Sequence, residues 1–173
     1  MSFELGALLE PLGVAIHAYR RSNMQEGQTA LVLGAGAVGL LAAAVAKAKG
    51  AKTVIIADID AGRVDFAVKN GFAHQGYLVP IKRGKDTEEN LAIARETADG
   101  IAAVDGESGK IGEVDVVFEC TGVPTCVQAA IYVSLLFLLP LPSSSPCSAS
   151  PPSTCLLYSN IHHSPPNPAA ASS

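Results

Sequence analysis

Tryptophan is absent from the sequence, and aromatic residues make up only 5% of it. Its few aromatics are not interleaved with basic residues, as a base-stacking surface would require. With 12 Lys/Arg against 16 Asp/Glu and a net charge of −4, it has no basic run to track a phosphate backbone either. A nucleic-acid partner is therefore not expected. The apolar stretch Ile131–Leu139 falls short of the ~20 residues that cross a bilayer, and Pro140 and Pro142 close it, so no membrane span is expected. The start of the chain, with Glu4 and Glu10, lacks the basic stretch and apolar run of a secretory signal. The four cysteines (Cys120, Cys126, Cys147 and Cys155) match no zinc-ligand spacing, which leaves reduced thiols in a cytoplasmic setting as the expectation.

Charge disappears altogether from one part of the chain. Every Lys, Arg, Asp and Glu lies between Glu4 and Glu119, and from Ser134 to Ser173 there are 11 Ser and 8 Pro in 40 residues. That segment has no periodicity from which to build a helix or strand and is expected to be disordered. What precedes it is patterned. Residues 1–28 form a lead-in in which Pro11 is placed to open a helix carrying Leu12, Ala15, Ile16 and Tyr19. Thr29–Leu33 is apolar without alternation, as in a strand buried on both faces of a parallel sheet. Ala37–Lys49 reads as a helix stopped by Gly50, Thr53–Ala57 as a second buried strand ending at Asp58, and Ala61–Asn70 as a helix closed by Gly71. A weaker strand over Gly76–Val79, a helix over Asp86–Val104, a polar loop over Gly106–Glu113, a strand over Val114–Glu119 and a helix from Pro124 complete the pattern. Strands alternating with helices predict an α/β fold, a Rossmann-type doubly wound parallel sheet truncated after about four strands, with the Ser/Pro tail beyond it.

Gly34-Ala35-Gly36-Ala37-Val38-Gly39 is a GxGxxG turn set between a strand and a helix. Asp58 stands 19 residues beyond Gly39, at the end of the next strand. Spacing and context together point to a dinucleotide. Gly34 makes the tight turn, Gly36 lets a pyrophosphate approach the backbone, and Gly39 lets helix and sheet pack closely. The free N–H groups and positive end of the helix face the phosphates. Asp58 accepts from ribose hydroxyls and repels a 2′-phosphate, which favours NAD over NADP. The competing reading is a glycine turn that merely packs, with Asp58 a solvated strand end.

From Gly6 to about Ile131 the sequence resembles the medium-chain, zinc-dependent alcohol dehydrogenase superfamily, and within it the sorbitol (polyol) dehydrogenases. The resemblance is carried by GALLEPLGVAIHA (6–18), LVLGAGAVGLLAAAVAKAKGA (31–51), Asp58 with Arg63, VVFECTG (116–122) and AIY (130–132). It implies that Val38 and Asp58 contact the cofactor, that Arg63 lies against its adenine-ribose end, and that Thr121 lies near the bound dinucleotide. It implies also that Glu10 approaches the catalytic zinc or the polyol bound to it, where the residues alone suggest a solvated acid. His17 and His74 are read as ordinary residues, since neither sits at metal-ligand spacing.

The resemblance brings expectations about what is missing. The family's zinc ligands belong to a catalytic domain that has no counterpart here, and a glycine-rich turn and fifth strand would follow Tyr132. The chain is thus expected to divide into a hinge segment (1–28), an incomplete NAD-binding domain (29–132) and a tail foreign to the family (133–173). Val133-Ser134 is encodable by GTNAGY, like an intron donor site read in frame, so a retained intron or faulty gene model is one explanation of the tail. The implied activity is oxidation of a polyol or alcohol with NAD in a complete zinc enzyme, this portion alone being inactive. The family forms homo-oligomers, but the strands that make those contacts would be lacking, and the sheet edge left beside Val114–Glu119 predicts poor solubility. A non-catalytic NAD-binding module is the alternative. A methyltransferase holding S-adenosylmethionine on the same turn fits less well, because nothing downstream resembles its chemistry.

Overall fold

The computed structural model describes residues 2–106, 109–112 and 114–135. The expected disorder of the Ser/Pro tail concerns residues that, from 136 onward, lie outside the described ones.

Helix α1 spans Phe3–Ser22, starting well before Pro11 and passing through it. The start is set by Ser2, whose side chain caps the N–H of Leu5, and by Glu4 in the first turn. Proline removes only one helical donor. Residues 2–10 are all exposed, so the carbonyl left over can be hydrated, and the helix continues. Asn23, in the left-handed region at φ 51°, ends it.

Strand β1 (Thr29–Leu33), helix α2 (Ala37–Ala48) and strand β2 (Thr53–Asp58) follow where the apolar runs predict them. Gly50, at φ 86°, supplies the turn that stops α2. Helix α3 (Ala61–Lys69) is capped by Asp60, strand β3 is Gln75–Leu78, and helix α4 (Thr87–Ala102) is capped by Asp86. The predicted polar loop over 106–113 contains instead part of a small antiparallel ladder of β4 (Asp105–Gly106) and β5 (Gly109–Lys110). Gly109 at φ 116° allows the reversal, and Ile111 packs against the core and donates its N–H to the Val104 carbonyl. Strand β6 (Val116–Glu119) and helix α5 (Pro124–Leu135) close the described chain, so Val133 and Ser134 belong to a helix.

The main sheet has the order β3-β2-β1-β6, with every pairing parallel. Alternate residues of β1 and β2 serve opposite faces, which is why the runs are uniformly apolar. Val32 and Ile56 join Ala18, Ala43, Ala46 and Ala67 on the α1–α3 side, whereas Leu31, Leu33 and Ile55 join Ala98, Ile101 and Ala130 on the α4–α5 side. Each fully buried Leu or Ile contributes about 1.5–3 kcal/mol to holding those layers together. Small residues on α2 and α1 let the helices lie close to the sheet. His74 extends the β2–β3 ladder by one step: its N–H donates to the Val54 carbonyl and its Nδ1 accepts the Val54 N–H at 2.8 Å.

Candidate dinucleotide site at the switch point

β2 and β6 flank β1, so the strand order reverses there, at the carboxyl ends of β1 and β6. Ligands of open parallel sheets bind at this place. The glycine turn forms one wall. Gly34 leaves β1 at φ 101°, and a Cβ on it would lie 3.0 Å from Thr121 Cγ2 and 3.2 Å from the Cys120 carbonyl carbon. Its N–H donates to the Ala57 carbonyl at 2.7 Å. Gly39 is buried where a Cβ would fall 1.8 Å from the Gly34 oxygen, so the start of α2 rests directly on the turn.

Gly36 differs from both. It is exposed, and a Cβ there would meet nothing within 4 Å. Gly36 is also the N-cap of α2, without a side-chain cap and with no acid in the first turn. Ala37 is exposed and Val38 half-buried beside it. The first N–H groups of α2 therefore converge on open space at the positive end of the helix, where a phosphate fits both sterically and electrostatically.

Asp58 closes the adenosine side. It is 9% exposed; its Oδ2 accepts from the Ala35 N–H at 2.6 Å and its Oδ1 from the Asp60 N–H at 2.9 Å. The carboxylate is thus tied to the glycine turn, and each oxygen retains acceptor capacity for a ligand hydroxyl. Arg63 lies on the first turn of α3, exposed, with Nε 3.9 Å from Asp60 Oδ2. Asp60 belongs to this corner but escaped the sequence reading; an Asp just before a helical run is an N-cap signal, and its Oδ1 caps Gly62 and Arg63.

Thr121 forms the opposite wall, after β6. Glu119 was likewise missed. It is 1% exposed and accepts from the Thr121 N–H at 2.8 Å, from the Thr121 hydroxyl and from the Gly122 N–H at 3.1 Å. A charged residue closing an apolar strand was the only sequence signal for it. Cys126, early in α5, stands near this wall. Burial pushes its thiol up, a hydrogen bond with Thr121 pulls it back, and the Glu119 and Asp58 carboxylates push it up again.

Gly34, Gly36, Ala37, Val38, Gly39, Asp58, Arg63 and Thr121 thus gather at one end of the sheet. Glu10 does not join them by any bond. It is exposed on α1, and its side chain makes no hydrogen bond or ion pair with another described residue. Among the described residues no three His, Cys, Asp or Glu side chains come together as metal ligands, so these residues do not fit a zinc shell.

Fold and switch point together define the Rossmann class of α/β domains. The profile of the zinc-binding dehydrogenase family matches residues 37–134, and the chain belongs to that family. It is 40% identical over 136 residues to L-arabinitol 4-dehydrogenase of Aspergillus niger, covering 76% of this chain and 33% of that protein. It is 39% identical over 135 residues to sorbitol dehydrogenase of Bos taurus, covering 78% and 33%. Among solved structures, a protein of Sinorhizobium meliloti 1021 bound to NADP superposes with a TM-score of 0.52 at 30% identity, over 69% of this chain and 31% of that one. The chain spans about a third of the length of the curated relatives it matches.

Proposed function

We propose that this chain is the NAD-binding portion of a zinc-dependent polyol dehydrogenase of the sorbitol or xylitol type, working in the cytoplasm. The observation that carries the reading is the open, uncapped start of α2 at Gly36, with Asp58 buried at the end of the neighbouring strand. The α2 N–H groups hold the pyrophosphate, with Gly36, Ala37 and Val38 against it. Asp58 takes the adenosine ribose hydroxyls and disfavours a 2′-phosphate, and Arg63 lies along the adenine-ribose edge. Thr121 lies near the bound dinucleotide, on the β6 side of the glycine turn. NAD, when bound, accepts the hydride as a secondary alcohol becomes a ketone.

Glu10 is assigned to the substrate side of the complete enzyme, and the small polyol binds with it there. The chain by itself is proposed not to turn substrate over. The open start of α2 would serve equally a second reading, a non-catalytic NAD-binding module. Titration of the pure chain with NADH and NADPH, followed by nucleotide fluorescence, tests the binding. Saturable NADH binding stronger than NADPH binding is expected; no binding, or a preference for NADPH, overturns the assignment. Formation of NADH from NAD with sorbitol or xylitol by the chain alone would refute its inactivity.

A further inference from the structure

A cavity of about 70 Å³ lies at the amino ends of β1 and β2, away from the glycine turn at the carboxyl end of β1. Among the described residues it is lined by Thr29, Lys52 and Thr53 and by the β4–β5 ladder, which brings Lys110. Thr29 and Thr53 are partner positions in the β1–β2 pairing. Alternation puts both side chains on the face of Leu31, Leu33 and Ile55, where Ile111 also packs. Thr53 is 6% exposed, yet its hydroxyl makes no hydrogen bond with a described residue. A buried hydroxyl left without a partner is costly unless solvent or a ligand supplies one. The Thr53 oxygen is not sealed in, since among the described residues only Gln128 Oε1 is buried without a partner. It therefore opens on the cavity. The half-buried Thr29 is bonded to Asp115 through its backbone N–H and carbonyl, which leaves its hydroxyl unpartnered too.

Charge at the cavity is of one sign. Lys52 and Lys110 are exposed, and neither makes an ion pair with a described residue. Asp105 stands opposite Lys110 in the ladder but forms no salt bridge with it, and Asp115 spends an oxygen on the Thr29 N–H at 2.7 Å. The helix ends nearby do not need the lysines. Carbonyls of the last turn of α2 accept from the N–H groups of Lys49, Gly50 and Ala51, and those of α4 from Ala103, Val104 and Gly112. Two unpaired ammonium groups beside two free hydroxyls are a donor set for an oxyanion, and a cavity lined by one sign of charge concentrates its counter-ion. A single water needs ~10–15 Å³ of such space, so the cavity suits an anion the size of phosphate rather than a nucleotide.

We propose that Lys52, Lys110, Thr29 and Thr53 form a binding site for a small tetrahedral oxyanion, inorganic phosphate. The site is separate from the glycine turn and does not rest on the NAD-binding reading. Water would satisfy the hydroxyls but would have no use for the two lysines.

The test titrates the full chain with inorganic phosphate by calorimetry, against potassium chloride of equal ionic strength, with and without saturating NADH to occupy the start of α2. It is repeated on the double variant Lys52→Gln/Lys110→Gln and on Thr53→Val, each melted by circular dichroism without phosphate. Saturable phosphate binding that survives NADH is expected in the wild type. The double variant and Thr53→Val should each bind phosphate about tenfold more weakly, as suits the loss of charged hydrogen bonds. Both should melt no lower than the wild type, because the lysines are exposed and valine keeps the shape of a hydroxyl-bearing side chain that has no protein partner. No binding beyond the chloride control, binding abolished by NADH, or an unchanged affinity in the double variant overturns the proposal. So does Thr53→Val that binds phosphate as the wild type does, or that loses affinity only in step with its Tm.

Discussion

Replacing Gly36 and Gly39 separately by alanine sets the ligand-facing and fold-facing halves of one turn against each other. At Gly39 the added methyl would lie 1.8 Å from the Gly34 carbonyl oxygen and 3.0 Å from its carbon, both backbone atoms with no rotamer to yield. Relief requires α2 to move off the turn, so Gly39→Ala falls at the severe end of overpacking, about 3 kcal/mol. For a domain of this size that corresponds to a fall in Tm on the order of 10 °C. At Gly36 the methyl meets nothing within 4 Å, and φ is −77°, which alanine adopts freely. Its poorer N-cap propensity costs about 0.5–1 kcal/mol, offset by a comparable gain from the reduced freedom of the unfolded chain, about 0.4–1 kcal/mol. Gly36→Ala should therefore melt within about 3 °C of the wild type. The open space it fills is the space assigned to the pyrophosphate, so NADH affinity should fall at least about tenfold, or 1.4 kcal/mol. Thermal melting by circular dichroism and fluorescence titration with NADH read the two effects independently. A Gly36→Ala protein that binds NADH as the wild type does would refute the placement of the phosphates at the start of α2. A Gly39→Ala protein with an unchanged Tm would refute the packing argument.

Three further outcomes are expected. Asp58→Asn keeps the shape of the side chain and an acceptor for the Ala35 N–H but removes the charge, so NADPH should gain on NADH by about tenfold in competition titrations; an unaltered preference would take the specificity away from Asp58. His74→Leu leaves the Val54 N–H at the β2 edge without its acceptor, and chemical denaturation should show a loss of about 1–3 kcal/mol. Tyr77, its pKa raised by burial, then by Glu96 and despite Lys82, stays protonated in the folded chain at a pH where the unfolded chain has lost the proton. Stability should therefore decline as pH rises through the ordinary tyrosine range near 10 and level off above the folded value. Melting from pH 8 to pH 11 checks this, and Tyr77→Phe should flatten that part of the profile.

The reach of the sequence ends at identifiable places. Thr29–Leu33, Ala37–Lys49 and Thr53–Asp58 were legible because a parallel strand buried on both faces has no alternation to disguise it and glycines punctuate its ends. The site legible there was the part made of glycines and one acid, since those residue types have few other reasons to occur at that spacing. Pro11 misled because the rule against proline inside helices concerns a lost donor, and that loss is small where the turn is wet. The β4–β5 ladder hid in polar residues, where a two-residue pairing leaves no periodicity. Asp60 and Glu119 escaped for a different reason. Their importance lies in the backbone N–H groups they hold, and every residue but proline has one, so no pattern of side chains announces it.

That difference separates the two walls of the site. The β1 wall is made by leaving atoms out: atoms of the neighbouring turns crowd the positions where Gly34 and Gly39 would carry Cβ atoms, and Gly36 faces open space, where the pyrophosphate is proposed to lie. The β6 wall is made by adding a charge and binding it on several sides. A wall of omitted atoms is spoiled where an added methyl meets backbone, as at Gly39, whereas a wall hung from a carboxylate is spoiled by the loss of its acceptors. Asp58 joins them. It ties the Ala35 N–H of the glycine turn while standing at the end of β2, so losing its charge would loosen the turn as well as the ribose contact. The site is therefore most rigid where it is expected to grip phosphate, and most open to tuning by substitution at its two acids.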